Sequence, residues 1–308
     1  MRRLIRSPQM TSSQQVPGAL SCVQNFQCSF ASRHCVAQNK TMAKPASKIA
    51  PHTAPKSRAH YEQPLNERMR TLMRLEFLYQ QMLYSSEREA DWATRATISS
   101  LLKVMAVLSR GDVRSEVHKE LDHQIEILQH YRSQPDVDVG RLDALIRNLS
   151  DSRTEIGTGG AQYLQPLKDS IFLNAIKHRS AIPGGTCEFD LPEYSHWLRQ
   201  PYARRQQDLS SWLGSIRPVC DAVVELLWLI RECAQPVDKV AINGMYQHRT
   251  QKDASCRLLR VSLQGDSQLY PEISGSQHHF TVRFLEWSTI ESRAVQTGHD
   301  VNFQISIC

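Results

Sequence analysis

Cys187 stands two residues after Gly184-Gly185, the layout of a thiol nucleophile beside a loop whose N–H groups can face an oxyanion or a phosphate. A working thiol needs a base, and no lone His or acid is spaced to activate it. Gly184-Gly185 is also too short for a phosphate loop and lacks the following Lys-Ser/Thr. A small buried cysteine after a turn explains the same residues. A thiol-dependent enzyme centred on Cys187 is kept as an alternative. His118 and Asp122 lie four apart, on one helix face as metal ligands would, but no third ligand accompanies them. His278 and His279 fall on opposite faces of a strand and cannot chelate together. Eight cysteines include no CxxC pair, and Cys22, Cys28 and Cys35 with His34 have the wrong spacing for a zinc knuckle. The expectation is no metal, no cofactor and no catalytic group.

Cations make the better lead. Arg70 and Arg74 share a helix face, opposite much of the apolar stripe. Arg110 and Arg114 flank a helix boundary, and Arg114 falls in a first helical turn, where the dipole does not favour a positive charge. That conflict suggests either an acidic neighbour such as Glu116 or a ligand. Further on, His279, Thr281 and Arg283 point to one face of a strand and form a positive stripe suited to an acidic or carboxyl-terminated peptide. Ordinary solvated cations remain the competing explanation.

These side chains need elements to carry them. From Asn66 to about Cys233 the period is helical. Leu65, Met69, Leu72, Met73, Leu75 and the Phe77–Leu78 pair recur at steps of three and four. A second helix, Glu87 to Ser109, carries Trp92, Ile98, Leu101, Leu102, Met105 and Leu108. Gly111 suits a left-handed helix end and Asp112 caps a third helix running to Tyr131, with Val117, Leu121, Ile125 and Leu128 inward. Leu142 to Leu149, Leu167–Arg179, a helix opened by Pro192, Leu209–Trp212 and Val219–Ile230 supply further helices. After Pro236 the period becomes two: Leu259, Val261, Leu263; His278, Phe280, Val282, Phe284; Val301, Phe303, Ile305. The fold class is therefore α+β, with an α-helical domain over 61–236 and a small antiparallel β-strand domain over 237–308.

Residues 1–60 hold nine Lys or Arg and no acid, so the formal charge of +6 for all 308 residues hides a mildly acidic body. Bulk charge gives that body no case for nucleic-acid binding. A nucleic-acid-associated role through the basic leader is the second alternative. The leader is poor in apolar residues and is expected to be disordered. Its composition is also that of an organelle transit peptide, and Met42 is a candidate start. Val223–Ile230, the most apolar stretch, is bounded by Asp221 and Arg231, too short for a membrane span. Reduced thiols in a cytoplasm fit the scattered cysteines.

Three phrases are more specific: Pro64-Leu-Asn-Glu-Arg-Met-Arg70, Ile182-Pro-Gly-Gly-Thr-Cys-Glu-Phe-Asp-Leu-Pro192 and Ser267-Gln-Leu-Tyr-Pro-Glu-Ile-Ser-Gly275. With Arg110-Gly-Asp-Val-Arg114, Lys119-Glu-Leu-Asp122 and Asn243-Gly-Met-Tyr-Gln247, they resemble the cell division protein ZapD family, from about Tyr61 to Cys308. The resemblance implies a non-enzymatic cytoplasmic protein at the mid-cell division ring, a symmetric homodimer that binds the C-terminal tail of FtsZ and cross-links its filaments. It implies a tail surface that includes Arg70, Arg74, Arg110, Arg114, His279 and Arg283, of which Arg74, Arg110 and Arg283 match the family's basic positions. His279 stands where relatives carry arginine. Ile171, with Lys168 nearby, stands where some relatives are basic. His196 sits one position from a histidine seen after the Phe-Asp-Leu-Pro phrase.

Overall fold

The computed structural model describes residues 58–132, 134, 137–160, 162–250 and 256–308. The expectations for residues 1–57, including the Cys22, Cys28, Cys35 and His34 group, lie outside them. Helices of the described residues are followed by antiparallel strands, the α+β arrangement that the change of period predicts.

Asn66 is extended, and its side chain accepts from the Met69 N–H at 2.7 Å, which starts α1 (Glu67–Ser86). Helix α2 (Asp91–Leu108) returns antiparallel beside it. Its buried residues, Thr94, Thr97, Ile98, Leu101, Val104, Met105 and Leu108, follow the helical stripe. Trp92, expected among them, lies two residues off that stripe and is 81% exposed. Asp112 accepts from the Ser115 N–H at 3.2 Å and opens α3 (Val113–Tyr131), which buries Val117, Leu121, Ile125 and Leu128 as expected. Gly111 is not among the positive-φ glycines, so α2 ends without the left-handed residue.

After α4 (Val139–Thr158), the segment expected as one helix over 167–179 is two, α5 (Gln165–Lys168) and α6 (Ile171–Arg179). Ser170 separates them, accepting from the Leu173 N–H at 3.2 Å. Helix α7 (Pro192–Leu198) carries its proline in the first turn. The two last expected helices are one, α8 (Tyr202–Cys233), 32 residues long with Pro218 inside. Proline removes a hydrogen bond to residue 214 and its ring crowds that carbonyl. Burial of Leu213, Ile216, Val219, Cys220 and Val223 on both sides of it holds the helix together. Helix α8 packs against α1, α3 and α4.

Strands β1 (Arg58–Pro64), β4 (Leu258–Gln264), β8 (Val301–Ile307) and β2 (Val237–Ala241) form one sheet in the order β1-β4-β8-β2. Strands β3 (Met245–Arg249), β6 (His279–Glu286) and β5 (Leu269–Gly275) form a second, with β7 (Val295–Gln296) also on β6. Arg58, Ala59 and His60, grouped with the leader on composition, instead open β1 and pair with Gln264, Leu263 and Ser262. No apolar alternation marks β1, because its value lies in covering the edge of β4.

Leu259, Val261, Phe303 and Ile305 of the first sheet meet Phe280, Val282 and Phe284 of the second, with Phe284 and Phe303 5.0 Å apart. The other face of the first sheet rests on the helices. Leu258 joins the helical core. Arg231 of α8 bonds Glu62 of β1 at 2.8 Å and Glu76 of α1 at 2.6 Å, and Arg260 of β4 bonds Glu62 at 2.8 Å. Burial alone would raise the Glu62 carboxyl pKa, but hydrogen bonds and charge from Arg231 and Arg260 outweigh it and hold it below the ordinary value.

Candidate functional site

Strand β6 has Phe280, Val282 and Phe284 buried, so His279, Thr281 and Arg283 face outward together. Cross-strand partners share a face. Arg249 and Met245 of β3 therefore join them, opposite His279 and Arg283. From β5 come Tyr270, opposite Leu285, and Glu272, opposite Arg283. The outer face is cationic at the Arg249–His279 end and apolar at the Tyr270–Leu285–Met245 end. Four residue steps of strand separate His279 from Arg283, about 13 Å, so an extended peptide of similar length spans both.

Arg283 is ion-paired with Glu272, and both side chains are 49% exposed. His279 is exposed, its Nδ1 3.3 Å from the Ser276 hydroxyl. Arg249 is exposed and makes no ion pair with another described residue. Sequence reasoning missed Arg249, because the β3 run is five residues long and lies next to the strands whose alternation drew attention. The Asn243-Gly244 turn was the available signal. Asn243 has φ 48° and Gly244 φ 72°, the pair of left-handed residues that a tight hairpin turn needs. A Cβ on Gly244 would lie 2.5 Å from the Thr297 carbonyl oxygen.

The other expected site residues lie on the helices. Arg70 and Arg74 sit on α1. Arg70 is half-buried, with Nε 3.2 Å from Glu67 Oε1, while Arg74 is exposed without an ion pair to a described residue. Arg110 is exposed at the corner between α2 and α3. Arg114 is engaged: its guanidinium donates to the Ile156 carbonyl at 2.8 and 3.1 Å and to the Gly157 carbonyl at 3.1 Å. Those carbonyls end α4, and a cation there is favoured by the dipole of that helix. Among the described residues, the first-turn conflict read from sequence is thus met by the carbonyl end of another helix.

A cleft between α1, α3 and the β5–β6 turn is lined by Arg68, Met69, Glu120, Arg257 and Gln277. It joins the helical body to the His279 end of the sheet. Arg257 bonds Glu120 at 2.5 Å and Arg68 lies 3.7 Å from it. Neither cation was singled out by spacing, because it is the tertiary approach of three elements that gathers them.

The remaining chemical leads resolve into local structure. The Cys187 sulfur is 3.5 Å from Asp190, whose carboxylate meets Arg179 at 3.4 Å. Gly184 has φ +75°, and a Cβ on Gly185 would fall 2.4 Å from the Arg179 carbonyl oxygen, so the pair serves a backbone turn. Asp122 is shared by His118 at 3.3 Å and Arg153 at 2.9 Å. Among the described residues no group of three or more His, Cys, Asp or Glu is placed to hold a metal, and no helix is long and apolar enough to cross a membrane.

Comparison with known proteins gives the family. The family model described as "ZapD: Cell division protein" matches residues 73–283. The chain is similar to Cell division protein ZapD of Methylococcus capsulatus, 36% identical over 254 residues, covering 82% of this chain and 99% of that protein. The proteins of that name from Shigella boydii and Escherichia coli are 35% and 34% identical over 248 residues, 80% of this chain and 98% of each of theirs. The chain belongs to the ZapD family of cell division proteins.

Proposed function

We propose that this chain is a non-enzymatic cytoplasmic cross-linker that binds the C-terminal tail of FtsZ at the mid-cell ring and, as a homodimer, joins neighbouring filaments. Family membership supports the division role. The observation that carries the binding mode is the outer face of β3-β6-β5, where Arg249, His279 and Arg283 lie beside apolar Tyr270 and Leu285. Such a face suits an extended segment with both acidic and apolar residues: the cations take the carboxylates and fix register, and the apolar end takes the side chains between them. Arg74 and Arg110, exposed and without ion pairs among the described residues, are the helical positions available to the same acidic segment. Arg70 shares the α1 face with Arg74, and Arg114 lines a neighbouring cleft with Lys168.

Two tail sites on one dimer turn the second binding event into a local one. A filament presents many tails, so a dimer held by one finds the next at high effective concentration. The test is co-sedimentation of the full-length chain with FtsZ and GTP, using FtsZ with and without its tail. Wild-type protein should bundle only tailed FtsZ, and Arg249→Glu with Arg283→Glu should abolish bundling while leaving the thermal transition in place. Undiminished bundling by that double variant removes the sheet face from the function.

A further inference from the structure

Resting on the tail-binding reading above, we propose that Glu272 is a built-in competitor for the peptide's carboxylate: it occupies Arg283 in the free protein and releases it when an acidic segment lies along β6. The register places Glu272 directly opposite Arg283 and on the same face. Among the described residues of that face on β3, β5 and β6, it is the one carboxylate, and it stands where a ligand's carboxylate would sit.

The pair is built to exchange. Both side chains are 49% exposed, whereas the junction pair of Arg231 and Glu76 is 17% and 10% exposed. Exposed pairs are weak, worth at most about a fivefold change in an equilibrium constant. The backbone beneath Glu272 is fixed, so only its side chain has to swing. Pro271 is buried opposite Phe284, and a Cβ on Gly275 would fall 2.5 Å from the Phe280 Cα. Glu272 therefore acts as a filter. An acidic ligand replaces the ion pair that it breaks, while a neutral one would leave two charges without partners. Arg249, with no such competitor among the described residues, is the cation that an arriving carboxylate meets first.

The experiment is fluorescence anisotropy with a labelled FtsZ C-terminal tail peptide and the full-length protein as wild type, Glu272→Gln, Arg283→Gln and the double variant. Glu272→Gln should lower Kd by about three- to fivefold. Arg283→Gln should raise it, and Glu272→Gln should then have no effect in the Arg283→Gln background. An unchanged or weaker Kd for Glu272→Gln overturns the competitor role. The same gain in the Arg283→Gln background also overturns it, because bulk charge alone would then account for the effect. A wild-type protein that binds no tail peptide overturns the tail-binding reading itself, and this role with it, a result distinct from either of the others.

Discussion

Arg114 and Arg74 look alike as letters, yet their surroundings separate them. The Arg114 guanidinium closes the carbonyl end of α4 through Ile156 and Gly157, whereas Arg74 projects into solvent. Hydrogen bonds to a charged group contribute about 1.5–3 kcal/mol each when well made. Arg114→Ala should therefore lower the unfolding free energy by about 2 kcal/mol, read by urea denaturation, without matching the binding loss of Arg283→Glu. Arg74→Glu should do the reverse, leaving the urea midpoint unmoved and weakening the tail interaction. Sequence could state the dipole conflict at Arg114. It could not supply the partner, since Ile156 lies 42 residues away and its carbonyl carries no side-chain signature.

At the scale of elements, the joint between helices and sheet is ionic where it is not apolar. Removing Arg231 leaves Glu76, at 10% exposure, without its cation, and Glu62, at 17%, with Arg260 alone. Breaking such a pair typically costs about 3–5 kcal/mol, so Arg231→Ala should unfold or partly separate the two halves, visible as a second transition in calorimetry. Acid should act on the same joint. The Glu62 pKa is depressed in the folded chain, so its contribution is whole above the ordinary carboxylate value of 4.5 and fades as pH falls through the folded value. His60, on the same strand, is lowered from 6.5 by burial and then by Arg260; protonating it opposes the fold, so β1 should begin to loosen below pH 6.5, before Glu62 titrates. Hydrogen exchange of β1 amides at decreasing pH checks that order, and protection that stays constant down to pH 4 contradicts it. The helical stripes of α1 to α4 were legible because one face of each meets the core. Continuity of α8 through Pro218 was not, because proline's local penalty is visible in sequence and the burial that overrides it is not.

For the whole molecule, the proposed function requires gripping two polymers at once. Screening shortens to about 3 Å at 1 M salt, so bundling should collapse between low and molar salt while the helical circular dichroism signal persists. Bundling that survives molar salt would contradict recognition by exposed cations. Removing residues 1–57 should leave bundling within about twofold, because the sheet face and α1 lie wholly in the retained chain; loss of it would favour the nucleic-acid alternative carried by the basic leader. Cys187→Ser should be equally silent, whereas loss of activity would restore the thiol alternative.

Sequence by itself determined that a helical region precedes the strands that follow Pro236, the cap at Asp112, the inward Phe280, Val282 and Phe284 of β6 and the family, since periodicity, capping chemistry and ordered short phrases are all local or nearly so. Tertiary structure alone decided that β1 covers the edge of β4, that Arg249 and Glu272 flank the β6 cations, and that Arg114 serves a neighbouring helix. Each of those depends on which distant segments lie side by side. Pairing between strands, and between a side chain and a remote carbonyl, leaves no period in the chain from which it could be read.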